Sequence, residues 1–121
     1  MLVLWIGLGG GLGAIFRYAL SVLINTKSEH TFPWSTLTVN LLGCFLIGLL
    51  WQYLSKSTNL NAFWLIGFLG GFTTFSAYSL DIANLWERGA AGLALIYALG
   101  TVVACIVAIF AGLYLARAVN L

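Results

Sequence analysis

Four long apolar stretches, separated by short polar segments, organise the chain. They run over about residues 2–24, 34–54, 62–80 and 90–116. Each provides roughly the 20 apolar residues that a helix needs to cross a bilayer. Tryptophans lie near the inferred ends of these stretches, where indole rings favour the headgroup level: Trp5, Trp34, Trp51, Trp64 and Trp86. The pattern predicts an all-α membrane protein, with a single domain over residues 1–121 and four transmembrane helices.

The composition favours the same class. The 121 residues are 62% hydrophobic and only 7% charged, with a mean hydropathy of +1.05, whereas globular domains average about 25% charged residues. The net charge of +2 is small and scattered, which argues against a nucleic-acid partner. The first apolar stretch begins at Met1 with no basic segment before it, so we expect no cleavable signal.

Residues that commonly bind metals or catalyse reactions are sparse. Cys44 and Cys105 fall in the middle of two different stretches, far apart along the chain. We expect them to pack as small residues and to form neither a disulfide nor a metal site. His30 is the only histidine and lies in a polar segment. Because no nucleophile–base pair and no metal-ligand set stands out, we do not expect an enzyme.

Ten residues of the third stretch are atypical of a membrane helix. Residues 70–79, with the sequence GGFTTFSAYS, contain two glycines, four hydroxyls of Ser and Thr, and three aromatic rings. Non-helical backbone at membrane depth is tolerated only where protein buries it or water reaches it. We therefore predict a helix broken near Gly70–Phe75 that exposes carbonyls to an ion. The alternative is an intact helix whose hydroxyls bond their own backbone.

Two polar residues in the first two stretches are candidate site residues. Arg17 is the only charged residue well inside a stretch, which is a functional signal by default; alternatively, it extends to the nearby interface. Asn40 shares a helix face with Thr36, four residues earlier. An amide in hydrocarbon must find partners. Asn40 therefore either clasps another helix or offers its NH2 group to an anion.

The fourth stretch carries a ladder of weak hydrogen-bond donors. Tyr97, Thr101 and Cys105 follow one another at four-residue spacing and therefore share one helix face. Ordinary hydrogen bonding between helices would account for them. The functional alternative is a polar track that lines a narrow pore.

Charge placement leaves the orientation in the membrane undecided. Four spans put both termini on one side, together with Lys56 and Arg117, and place Lys27 and Arg88 on the other. The positive-inside rule acts through the difference in Lys and Arg between the two sides, which is nearly zero here. A four-helix core is normally filled by its own side chains. We therefore predict a dimer whose pathway both chains build, and the balanced charges allow its two chains to be antiparallel.

Three motifs, taken together, resemble one family. The first stretch has Gly10-x-x-Gly13-Ala14-x-x-Arg17-Tyr18, the second has Thr38-Val39-Asn40-x-x-Gly43, and the third has GGFTTFS over residues 70–76. Together with the length and the four spans, they resemble the Fluc (CrcB) fluoride channels. The resemblance implies a dual-topology antiparallel homodimer in the cell inner membrane. Such a dimer exports fluoride passively through two pores and so relieves fluoride toxicity.

The resemblance also assigns roles to individual residues. Asn40 matches a fluoride-lining asparagine, Phe75 matches the first pore phenylalanine, and Tyr78 falls where the family pattern has a second. The family's central structural sodium ion would be bound by the carbonyls of Gly70 and Thr73 from each subunit. The vestibule arginine matches Arg17. The remaining fluoride-binding positions are expected to include Thr36, Thr74, Ser76, Tyr97, Thr101 and Cys105, the last standing where a serine is usual.

Two other classes compete with a channel. A small multidrug-type transporter also has four spans and dual topology, but it needs a carboxylate inside the membrane. The first stretch contains no Asp or Glu, and Asp81 falls at the end of the third. A non-transporting assembly subunit, held together only by close helix packing at its glycines, would not need Asn40, Phe75 and the ladder on the fourth stretch together.

Overall fold

The helical architecture is seen in a computed structural model that describes residues 1–27 and 31–121. Neither the side chain of Lys27 nor residues 28–30 are among the described parts, so the expectation for His30 lies outside them. Four helical segments are long and apolar enough to cross a membrane: Leu2–Thr26, Trp34–Leu54, Thr58–Glu87 and Ala91–Ala118. The predicted all-α class with four membrane-crossing helices is confirmed.

The third crossing consists of two helices, and the others are single. We name the single helices α1 (Leu2–Lys27), α2 (Trp34–Leu54) and α5 (Ala91–Ala118). In the third crossing, α3 (58–72) comprises a short turn at Thr58–Leu60, a π-helical stretch at Asn61–Leu69 and a last turn at Gly70–Phe72. Helix α4 (Phe75–Glu87) completes the crossing.

The break between α3 and α4 consists of two extended threonines. Thr73 has φ −83° and ψ 153°, and Thr74 has φ −148° and ψ 121°. Thr74 then caps α4, because its hydroxyl accepts the Ala77 N–H at 3.1 Å, the usual role of Thr at a helix N-terminus. The interruption lies inside the stretch where glycines and hydroxyls predicted it.

Glycines allow two pairs of helices to touch backbone to backbone. A β-carbon at Gly9 or Gly13 of α1 would collide with the carbonyls of Phe63 and Phe68 in α3. Helices α2 and α5 meet in the same way, because Gly48 of α2 packs directly on the α5 backbone. Such close approach through small residues replaces the hydrophobic driving force that is missing between helices in lipid.

Asp81 lies in a different place from the one predicted. The apolar pattern predicts Asp81 at the end of the third stretch, but α4 continues to Glu87, so Asp81 is in the middle of the helix. The crossing is also longer at its start, which is Thr58 and not residue 62. A single carboxylate is a poor guide to a helix end here, because it has a hydroxyl partner in the fold.

Gly13→Ala is expected to lower the free energy of unfolding by about 1–3 kcal/mol, because the added methyl group meets the α3 backbone, which cannot move aside easily. Gly7→Ala is the matched control on the same helix, since nothing lies within 4 Å of a β-carbon there. Unfolding of the detergent-solubilised protein measures both. Equal stabilities for the two variants would contradict the backbone contact.

Candidate functional site

The two threonines of the break face a cavity of about 240 Å³ between α2, α4 and α5. The cavity wall contains seven of the predicted site residues: Asn40, Thr73, Thr74, Phe75, Tyr78, Thr101 and Cys105. Cys44 and Val102 complete it. The interrupted helix, Asn40 and two residues of the ladder, Thr101 and Cys105, therefore belong to one place in the fold.

Asn40 holds the break through a two-sided contact. Its Oδ1 accepts the Thr74 N–H at 2.8 Å, and its Nδ2 donates to the Thr74 carbonyl at 2.9 Å. This side chain replaces the helical partners that the extended Thr74 lacks. The amide nitrogen of Asn carries two N–H groups, and the contact with Thr74 uses one. Asn40 is therefore a clasp between α2 and the break, and it also lines the cavity.

Two aromatic rings line the cavity beside the break. The rings of Phe75 and Tyr78 lie 5.3 Å apart between centroids and are tilted by 44°. The Tyr78 hydroxyl donates to the Ala98 carbonyl of α5 at 2.7 Å. Because that hydroxyl is committed to α5, Tyr78 offers its ring to the cavity. Phe75 is 77% exposed in the single chain, so one of its sides lacks protein contacts here.

The ladder on α5 divides into two parts. Thr101 is buried at the cavity, and its hydroxyl oxygen has no hydrogen-bond partner among the described residues. Buried polar atoms are nearly always hydrogen-bonded, so this hydroxyl is available to a further partner. Cys105 also lines the cavity. Tyr97 does not; it is almost fully buried, and its hydroxyl donates to Asp81 Oδ2 at 3.2 Å.

Two further predicted residues lie just outside the cavity wall. Thr36 is buried on α2, one helical turn before Asn40. The Ser76 hydroxyl is 3.1 Å from the Thr74 hydroxyl at the start of α4. Beyond Tyr97, Asp81 faces a second, polar cavity of about 190 Å³. The Tyr97–Asp81 contact thus lies between the break and this polar cavity.

Arg17 reaches the break from the other side. Its Nε donates to the Gly71 carbonyl at 3.1 Å, which is one of the last carbonyls of α3 that the interruption leaves without a helical partner. A cation at the C-terminal end of a helix also complements the helix dipole. This contact explains how a charge is accommodated well inside the first span, and it does not require extension to the interface.

The break also exposes carbonyls that suit a hard cation. In a continuous helix the Gly70 carbonyl would accept the Thr74 N–H, which here donates to Asn40. Gly70 lies on the exposed side of the single chain, and Thr73 is half-buried. Neutral carbonyl oxygens are ligands that hard cations accept, and at membrane depth they need a partner. The donor set therefore fits the sodium ion that the resemblance implies.

Sequence reasoning missed Cys44. The two cysteines were expected to be distant, but both line the same cavity. Cys44 follows Asn40 by four residues, just as Cys105 follows Thr101. This shared spacing could have predicted that the two cysteines meet, but only if α2 and α5 were known to be neighbours. Hydropathy alone does not reveal which helices are neighbours.

Four membrane-crossing helices, three of which enclose a cavity lined by uncharged polar and aromatic side chains, define a small multi-pass membrane protein. A family profile described as "CrcB-like protein, Camphor Resistance (CrcB)" matches residues 4–113. A "Fluoride-specific ion channel FluC" of Agrobacterium fabrum is 47% identical over 113 residues, covering 90% of each chain. One of Rhodopseudomonas palustris is 44% identical over 124 residues, covering 99% of this chain and 100% of that relative.

The chain belongs to the CrcB-like family. A third relative carrying the same fluoride-channel name, from Magnetococcus marinus, is 43% identical over 121 residues, with 97% of this chain and 98% of that relative covered. The relatives are named as ion channels, so the family is not one of enzymes. In bacteria, a multi-pass helical protein of this family is located in the inner membrane.

Tyr78→Phe is expected to keep the ring at the cavity and lose the bond to Ala98. The free energy of unfolding should fall by about 0.6–1 kcal/mol, the usual value of one such bond. Tyr18→Phe is the control, because that residue is 73% exposed; its change should stay within about 0.5 kcal/mol. A Tyr78→Phe protein as stable as the parent would show that the hydroxyl is not bonded to α5.

Proposed function

We propose that the chain is a fluoride-selective channel that exports fluoride passively and relieves fluoride toxicity. The observation that carries the proposal is the cavity at the break, whose wall contains both Asn40, with one amide hydrogen not used by Thr74, and Thr101, whose hydroxyl has no partner among the described residues. The names of the relatives agree with this function. The family membership and the cavity are independent observations that point to the same ion.

The chemistry of the cavity suits a small anion that must pass through. Fluoride is strongly hydrated, so leaving water must be offset by close donors. The amide of Asn40, the hydroxyl of Thr101 and the electropositive ring edges of Phe75 and Tyr78 are donors without formal charge. Conduction requires binding strong enough for entry and weak enough for exit. Arginines around the ion would hold it too tightly.

The path continues through the residues that flank the cavity. Thr74 and Ser76 place hydroxyls at the start of α4, and Cys105 extends the ladder on α5. Toward the polar cavity, Thr36 and Tyr97 supply the next hydroxyls. In this arrangement fluoride passes from donor to donor along one face of the bundle.

Arg17 has a separate part in this proposal. Its guanidinium keeps the vestibule near the break electropositive while its Nε holds the Gly71 carbonyl. The charge therefore attracts the anion to the entrance and leaves the uncharged donors to carry it through.

A second copy of the chain, inserted in the opposite direction, completes the pore. Phe75 is 77% exposed and Gly70 lies on an exposed side of the single chain. A pore wall cannot face lipid, because the polar backbone at the break would lack partners. The balanced Lys and Arg count permits both insertions. The antiparallel homodimer then has two equivalent pores.

The same dimer would hold a structural sodium ion at its centre. The Gly70 and Thr73 carbonyls of both chains would be the ligands, because the break frees the first from helical bonding and places the second in extended backbone. When bound, the ion supplies a positive partner for carbonyl oxygens of two helix ends. Its role is to join the chains and not to drive transport.

Asn40→Asp is expected to slow fluoride efflux from liposomes by at least about tenfold. A carboxylate repels the anion and cannot donate to it, and a hydrogen bond to a charged group is worth about 1.5–3 kcal/mol. Asn59→Asp makes the same chemical change at an exposed position outside the cavity and should leave the flux unchanged. A fluoride electrode measures release, with chloride as the paired anion.

The outcomes of this assay separate the competing functions. Fast fluoride release by the parent without chloride release supports the channel. Parent protein that retains fluoride as a verified dimer in sodium buffer would overturn it. A folded Asn40→Asp variant with parental flux would remove Asn40 from the pathway.

Dual insertion predicts that a reporter fused to the C-terminus is active on both sides of the membrane in comparable amounts. The reason is the near-equal number of cations in the segments at the two sides. A matched fusion carrying extra lysines after Leu121 should shift the activity to the cytoplasmic side. Reporter activity on one side only for the unaltered chain would contradict dual topology.

A further inference from the structure

The two cysteines of the chain form a pair inside the cavity. Both side chains are free thiols and half-buried, and both belong to the cavity wall. They lie on different helices, Cys44 on α2 and Cys105 on α5. A solute that enters the cavity therefore meets two thiols together, although they are far apart in the sequence.

The backbone register explains why the pair forms. Helices α2 and α5 are the second and fourth crossings, so they run in the same direction. Gly48 of α2 packs against the Ile109 carbonyl of α5. One helical turn before Gly48 is Cys44, and one turn before Ile109 is Cys105. The glycine contact thus holds the two cysteines at the same level, where both line the cavity.

The side chains available at the cysteine pair determine which class of metal ion could bind there. Thiolates prefer soft metal ions. Among the described residues no group of three or more His, Cys, Asp or Glu side chains could hold a metal, and the only methionine is Met1. Zinc in structural sites takes four ligands in a tetrahedron, which this pair cannot supply. Two sulfur ligands on facing helices suit ions that accept two-coordinate, near-linear binding, such as Cu(I), Ag(I) and Hg(II).

We propose that Cys44 and Cys105 bind one soft, two-coordinate metal cation per chain inside the cavity. Each thiol loses its proton as its sulfur bonds to the metal, so binding releases two protons and transfers no electrons. The site lies one turn from both Asn40 and Thr101. A bound cation would occupy part of the cavity that the ladder residues Thr101 and Cys105 line. The binding itself does not depend on whether the cavity conducts fluoride.

Silver retention tests the proposal with the full-length chain. The purified protein in nitrate buffer receives one equivalent of Ag⁺ per chain, then an excess of 2-mercaptoethanol, and is desalted before silver and protein are quantified. Two tethered sulfur ligands raise the affinity over a single one by about 10²–10⁴. The parent should keep about one silver per chain, and Cys44→Ser and Cys105→Ser should each keep at least about tenfold less.

The opposing results are equally distinct. The shared site would be overturned if the parent protein lost its silver as readily as the single-serine variants. A retained stoichiometry of one silver per two chains would overturn it as well. A second measurement needs only the parent protein, so it tests the proposal even if the serine variants fail to fold. One equivalent of silver should protect both thiols from alkylation by a maleimide, as counted by intact mass. Protection of only one thiol, or of neither, would also refute the pair.

Discussion

The pairing of the Asn40 amide with the backbone of Thr74 is the interaction on which the rest of the site depends. It satisfies both the N–H and the carbonyl of a residue that has left the helix. Without it, a membrane-crossing segment would have unpartnered backbone at a depth where each such group is costly. The pairing also diverts the Thr74 N–H from Gly70, which frees a carbonyl at the break. One side chain thus permits the interruption, keeps one amide hydrogen that Thr74 does not use and frees the Gly70 carbonyl from its helical partner.

Close helix packing positions the partners of that pairing. Gly9 and Gly13 bring α1 against α3, and Gly48 and Gly112 bring α2 against α5. The first contact places Arg17 beside the last carbonyls of α3. The second sets the level at which the α2 and α5 side chains meet across the cavity. Small residues therefore determine where the polar ones lie, although they make no polar contact themselves.

Hydropathy was enough to predict the four crossings, because long apolar runs admit few other structures. The position of the break was also predictable, since GGFTTFS combines poor helix formers with hydroxyls in one run. The hydroxyl partner of Tyr78 and the contact between Tyr97 and Asp81 were not, because both depend on which helices are neighbours. The same limit explains why Cys44 was expected to be far from Cys105. Spacing along one helix is visible in a sequence, whereas register between two helices is not.

The central claim is that Asn40 donates one amide hydrogen to Thr74 and the other to fluoride. The most direct measurement is the NMR spectrum of 15N-asparagine-labelled protein in lipid during a fluoride titration, with chloride as the control anion. The Asn40 side-chain signals should shift with fluoride and not with chloride, while those of the exposed Asn59 should stay in place. Asn40 signals that remain unchanged at fluoride concentrations that support efflux would contradict the claim.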